Sequence, residues 1–125
     1  MAAKGIKWLA EPEAKDYLAA RSFLSMLLPP DELDDKLAAL HEAPVGHWAA
    51  KDILRAAGLP PLRPKQSTEM AEKLAKIHEG VAISPVLLIA GIREQLVIAD
   101  GYHRVSAAHR VEEAAMVPGR LLWTS

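Results

Sequence analysis

The sequence predicts an α+β fold, a small mixed sheet with packing helices that is preceded by an N-terminal helical hairpin. Apolar residues recur at three- and four-residue spacings through much of residues 11–80, which indicates helices. From Val81 onward the pattern changes to short β-branched apolar runs around one helical segment, which indicates strands. The order, helices and then strand–strand–helix–strand, is typical of α+β proteins. A chain of 125 residues has the length of one domain.

Two amphipathic helices are predicted at the N-terminus, one from Glu11 to Leu28 and one from Asp31 to about Ala43. The first has an apolar stripe that includes Leu18 and Phe23, and the Pro-Pro pair after it ends it. Packing is the expected role of this hairpin. We therefore divide the chain into a helical extension, residues 1–44, and a domain, residues 45–125, which we expect to form one compact unit.

The middle of the chain is predicted to be helical apart from two segments. Residues 45–48 have no regular pattern, and residues 60–66 are proline-rich and indicate a loop. Between them Lys51 to Ala57 is predicted to be a short helix that Gly58 closes. A further helix begins at a Ser67 or Thr68 cap and ends at Gly80.

The C-terminal third is predicted to contain strands near residues 82–89, 96–99 and 117–122, with a helix near 102–113. Pro85 cannot donate a hydrogen bond to a ladder and therefore marks an edge or the start of a strand.

Composition narrows the function classes. The chain has no cysteine, which excludes disulfides, thiolate metal sites and thiol nucleophiles. It has 15 basic and 16 acidic residues, whereas a dedicated nucleic-acid binder usually has a strong basic bias. No apolar run reaches the roughly 20 residues of a membrane span. We expect a soluble, cytoplasmic protein with no membrane partner. A nucleic-acid partner stays open but is not favoured.

The most informative segment is the turn Asp100-Gly101-Tyr102-His103-Arg104, between a predicted strand and a predicted helix. Glycine allows a tight turn and the close approach of a ligand. The first N–H groups of a helix have no acceptors within it and lie at the positive end of its dipole, so anions bind there. Asp100 and His103 are the catalytic candidates. The binding candidates are Gly101, Tyr102, His103, Arg104 and Ser106, and no metal ligands are predicted.

A helical wheel leaves alternatives open at this turn. Arg104 falls within the apolar arc, where it either pairs with a carboxylate such as Asp100 or reaches past the helix end toward an anion. His103, Ser106 and Arg110 lie on the opposite side, and for His103 and Arg110 a simple solvated face is the alternative to a ligand site. Asp100 is equally compatible with a simple N-cap.

Residues 83–89 together with residues 96–108 resemble the N-terminal domain of the ParB family, in which a Pro-containing apolar strand and a second strand lead into a Gly-x-His/Arg-Arg helix start. Sulfiredoxins and ADP-dependent serine kinases share that fold. The resemblance covers roughly residues 45–122 and implies that Gly101, His103 and Arg104 contact nucleotide phosphates, with ATP, ADP or CTP and Mg²⁺ as cofactors. Tyr102 stands where sulfiredoxins have their catalytic cysteine, so sulfinic-acid reduction is excluded.

The sequence therefore favours a stand-alone ParB/sulfiredoxin-like module that binds a nucleotide or another phosphate-bearing ligand. Phosphoryl transfer or hydrolysis is compatible with this hypothesis, with Glu69, Glu72 or Glu79 as the base, although the sequence does not decide whether the protein is an enzyme. Two alternatives stay open: a DNA-binding or DNA-processing accessory protein, and a non-enzymatic interaction protein. The N-terminal helices are also compatible with homodimerisation.

Overall fold

The computed structural model describes residues 5–124 and has an α+β fold, which confirms the predicted class. Within those residues there are five helices and one four-stranded sheet. The helices are α1 (Ala14–Leu24), α2 (Pro30–Glu42), α3 (Ala50–Ala57), α4 (Thr68–His78) and α5 (Tyr102–Val111). The strands are β1 (Val45–Ala49), β2 (Val86–Ala90), β3 (Val97–Asp100) and β4 (Met116–Trp123). None of the helices in the described part of the chain is long and apolar enough to cross a membrane.

The sheet is mixed, and its strand order is β1-β4-β2-β3. β2 runs parallel to β4, with Leu88 opposite Leu121, and antiparallel to β3, with Leu88 opposite Ile98. β1 pairs with β4 in antiparallel orientation. β2 therefore lies inside the sheet, and all five of its residues are buried. β3 is a terminal strand, so its outer edge has no strand partner in the sheet.

Helices cover both faces of the sheet and form a separate core on each. On one face α3 and α5 pack on Val86, Leu88, Ile98 and Val117. On the other face α1 and α2 pack on Leu87, Ile89, Val97 and Ala99. Coverage of both faces explains why β2 is continuously apolar rather than alternating. α4 lies beside α5, and Ile77 of α4 belongs to a third, smaller cluster with Ile83 and Ala107.

The helix boundaries follow from capping chemistry. α1 begins after Glu13, whose N–H donates to Asp16 Oδ2 at 2.7 Å in a capping box. Pro29 is the N-cap of α2, Gly58 ends α3 with a φ of 68°, and the Ser67 hydroxyl accepts from Met70 N–H at 3.1 Å at the start of α4. Gly58 and Ser67 are caps that the sequence predicts, whereas the capping box at Glu13 and the N-cap at Pro29 were not predicted.

Several elements differ from the prediction, and α1 begins at Ala14 rather than Glu11. α1 ends at Leu24 rather than Leu28, because residues 25–28 form the turns that reverse the chain before Pro29. Residues 45–49, predicted to be irregular, form β1. The strand predicted near 82–89 begins at Val86, directly after Pro85, while Ile83 forms an isolated parallel bridge with Trp8.

The apolar stripe predicted for α1 is partly wrong. Leu18 and Phe23 are 68% and 46% exposed, and the buried positions are Asp16, Ala20 and Leu24. The buried stripe thus has a four-residue spacing and includes an acidic residue.

Candidate functional site

A groove of about 510 Å³ runs along the outer edge of β3 and ends at the start of α5. Six consecutive residues, 96–101, line it, so the edge of the strand is its floor. Ala19 and Phe23 of α1 form one wall, and Ala57 and Leu59 form the other. The polar side chains at the groove come from four places in the chain: Glu69, Arg93, Asp100, and Tyr102 with His103.

The end of the groove at α5 carries uncapped backbone N–H groups. Gly101 is the N-cap, no side chain caps it, and the first bond within the helix runs from Val105 N–H to Gly101 O. The N–H groups of residues 102–104 therefore have no acceptor within α5, and they lie at the positive end of its dipole. The alternative that Asp100 is the N-cap is wrong.

Glycine is required at position 101. Its φ is 115°, and a Cβ atom there would lie 2.4 Å from Val86 Cγ1 and 3.1 Å from Arg104 Nη2. Both the left-handed backbone and the close approach of β2 exclude a larger residue. The turn that exposes the start of α5 thus depends on this glycine.

His103 is the side chain of α5 that is best placed to meet a ligand in the groove. It is partly exposed, and its Nε2 lies 3.7 Å from Glu69 Oε1. That separation is longer than a hydrogen bond. Arg93, at the other end of the groove, takes part in none of the salt bridges formed among residues 5–124.

Arg104 is buried and holds two carboxylates. Its Nη2 donates to Asp100 Oδ2 at 2.8 Å and to the carbonyl of Pro85 at 3.2 Å, and its Nη1 lies 3.4 Å from Asp16 Oδ1. The three charged side chains are only 4–15% exposed. Of the two alternatives that the helical wheel allowed, the structure shows the pairing with carboxylates. Arg104 thus links the turn at Asp100 to Pro85 and to Asp16 of α1.

The charges in this cluster do not cancel. Two carboxylates, of Asp16 and Asp100, share one guanidinium, so the cluster is negative when both are ionised. Burial raises the pKa of Asp100, and Asp16 adds to that effect, while Arg104 opposes it. A buried carboxyl with a raised pKa at the wall of a groove is a candidate for proton transfer or for donating a hydrogen bond.

Two of the candidate site residues form hydrogen bonds with the loop at residues 60–66, which crosses α5. Ser106 is fully buried and its Oγ accepts from Leu62 N–H at 3.0 Å, while the Tyr102 hydroxyl donates to the carbonyl of Pro60. Burial also raises the pKa of Tyr102. Ser106 therefore does not face solvent, because a segment 44 residues away in sequence covers it.

Sequence reasoning missed Asp16 and Arg93. Asp16 lies four residues before Ala20, which in turn lies four residues before Leu24, and all three are buried. This four-residue spacing was the one feature of the sequence that could have predicted the burial of Asp16. Arg93 lies in the loop between β2 and β3, and nothing in the sequence distinguishes it from an ordinary surface arginine. No group of three histidine, aspartate or glutamate side chains within residues 5–124 is arranged to hold a metal ion.

Comparison of the chain with protein-family models, with curated proteins and with solved structures gives no match. The functional argument therefore rests on the groove, on the turn at residues 100–104 and on the buried cluster behind that turn.

Proposed function

We propose that this protein binds a phosphate-bearing small ligand, such as a nucleotide, in the groove along β3. The observation that carries the proposal is the uncapped start of α5, which opens into a groove that also has His103 and Arg93. A phosphate at this point meets backbone N–H groups, the helix dipole and an imidazole at once. The ParB/sulfiredoxin-like assignment, which rests on the residues of the turn, agrees with such a ligand.

The groove supports a ligand with an apolar ring as well as a phosphate. Phe23 and Leu59 are exposed apolar residues on its two walls. A volume of about 510 Å³ falls within the range of small-molecule sites. In this proposal the ring lies between the walls, the phosphate lies at the start of α5, and Arg93 contacts a further phosphate or a hydroxyl.

The side chains of the turn have different roles in this proposal. His103 binds phosphate directly, while Gly101 and Arg104 shape the turn, so Arg104 acts without touching the ligand. Asp100 and His103 are the acid–base candidates if turnover occurs, and Glu69 orients His103. If ATP, ADP or CTP is the ligand, Mg²⁺ would have to arrive with the phosphates, because the described residues offer it no set of three side-chain ligands.

Nucleotide binding can be tested by thermal shift and by backbone NMR titration, since a ligand of the native state raises the melting temperature. AMP, ADP, ATP and CTP, each with and without Mg²⁺, are the probes. His103→Gln removes the imidazole contact with the phosphate and should weaken binding about tenfold or more. Arg55→Ser is the matched control, because Arg55 is exposed on α3 and absent from the groove. If no probe shifts the amides of residues 102–104, the proposal is wrong.

The free edge of β3 favours a second candidate, the binding of an extended peptide by strand addition. A groove whose floor is a strand edge and whose walls are apolar is the geometry that this mode requires. The four residues of β3 correspond to about 13 Å of peptide. The two candidates differ in their NMR response, because an added strand perturbs all amides of residues 96–100, whereas a phosphate perturbs mainly residues 101–104.

A further inference from the structure

Asp100 places a carboxylate beside the proposed anion site. It precedes Gly101 directly, lines the groove, and keeps Oδ2 on Arg104. Its Oδ1 accepts no hydrogen bond from the residues that the structure describes. A bare carboxylate next to a site for anions repels a fully ionised ligand, and this repulsion is strong where burial limits screening.

The cluster behind Asp100 cannot remove that repulsion. Arg104 is shared with Asp16, and Asp16 also accepts the N–H of Glu13 in the cap of α1. Asp16 thus has two donors, whereas Asp100 has only its share of one guanidinium. The other polar side chains around the site, His103, Arg93 and Glu69, lie along the groove.

We propose that Asp100 makes the site selective for an anion that carries a proton, a phosphomonoester, over an anion of the same shape that carries none. The inference rests on the proposed function. A phosphomonoester shares one proton with Asp100, either as its own P–O–H donating to the carboxylate or as the carboxylic acid donating to the phosphate oxygen. At pH 7 a phosphomonoester, whose second pKa is about 6, takes up that proton from solution at little cost, whereas a sulfate ester cannot hold one, so Asp100 itself would have to be protonated.

Methyl phosphate and methyl sulfate form a matched pair of probes, because they differ chiefly in the ability to hold that proton. A phosphate ester has a second pKa of about 6, so titrations of the amides of residues 102–104 from pH 5 to pH 8 cover both forms. One hydrogen bond to a charged group corresponds to about tenfold to a hundredfold in affinity. We expect the wild type to prefer methyl phosphate by that factor at pH 7, and the preference to shrink as the pH falls and Asp100 becomes protonated.

The decisive variant is Asp100→Asn, whose amide donates a hydrogen bond to either probe. We expect the ratio of the two affinities to fall at least about tenfold in this variant. Asp52→Asn is the matched control, since it makes the same change at an exposed carboxylate of α3 that lies outside the groove, and it should leave the ratio unchanged. A ratio that is unaltered in Asp100→Asn, while both probes still bind, overturns this inference alone. If neither probe shifts residues 102–104 in the wild type, the proposed function fails with it.

A second variant tests the same inference independently, in case Asp100→Asn does not fold. Asp16→Asn keeps Asp100 and removes the carboxylate that competes for Arg104, so the pKa of Asp100 should fall. The pH at which the preference for methyl phosphate disappears should then move downward. A midpoint that stays where it is in the wild type counts against the role of the cluster.

Discussion

Removal of the Arg104 guanidinium tests whether the buried cluster holds the turn together. In Arg104→Met a side chain of similar length remains, but the carboxylates of Asp16 and Asp100 lose their common counter-ion in a site that is at least 85% buried. Breaking a buried ion pair by removing one partner costs about 3–5 kcal/mol of unfolding free energy. At roughly 4 °C per kcal/mol for a domain of this size, the melting temperature should fall by about 10–20 °C.

Two further variants make the result specific. Arg21→Met is the matched control, because Arg21 pairs with Asp34 at 2.7 Å on the exposed surface, where an ion pair contributes about 0–1 kcal/mol. The triple variant Asp16→Asn, Arg104→Met, Asp100→Asn removes the carboxylates as well and should recover much of the loss, since no buried charge is then orphaned. Urea unfolding at pH 7 measures all three. If Arg104→Met costs no more than Arg21→Met, the cluster does not stabilise the fold as argued.

Three other substitutions probe the same region. The pKa of Asp100 is raised above its ordinary 3.8, so between 3.8 and the raised pKa the folded state binds more protons than the unfolded state. The free energy of unfolding of the wild type should therefore fall as the pH rises through that window. Asp100→Asn should flatten the decline in a series of urea titrations. Gly101→Ala should cost about 2–4 kcal/mol, because the left-handed backbone and the contact with Val86 are both strained, and circular dichroism melts would show it. Ser106→Ala leaves Leu62 N–H without its acceptor and should cost about 1–2 kcal/mol, together with faster hydrogen exchange at Leu62, whereas unchanged exchange would contradict this role for the hydroxyl.

The parts of the fold that sequence could predict are those that local chemistry decides. Pro85 marks the start of β2, Gly58 and Ser67 bound helices, and the change of period near Val81 separates helices from strands. The prediction that Arg104 lies in an apolar arc is also confirmed, since the residue is buried. In each case the signal lies within a few residues of the structure that it specifies.

The parts that sequence did not predict depend on contacts between distant segments. β1 has the sequence VGHWA, with little strand propensity, and it forms because it pairs with β4, some 70 residues away in the chain. The burial of Ser106 depends on Leu62, and the pairing of Arg104 with Asp16 spans 88 positions. A wheel drawn for one helix assigns a face to solvent or core by apolarity alone, so it cannot show that a loop covers that face.

The first N-terminal helix, α1, was treated as part of an extension, but it contributes to the candidate site. α1 supplies the wall of the groove at Ala19 and Phe23 and the second carboxylate of the cluster at Asp16. It also covers the face of β2 and β3 that carries Leu87 and Val97. A ligand that reached the start of α5 would therefore contact a surface built by both parts of the chain. Because Asp16 competes with Asp100 for one guanidinium, α1 also influences the protonation of the carboxylate that lines the groove. Changes within α1 should thus alter both stability and anion preference, even where they lie outside the groove.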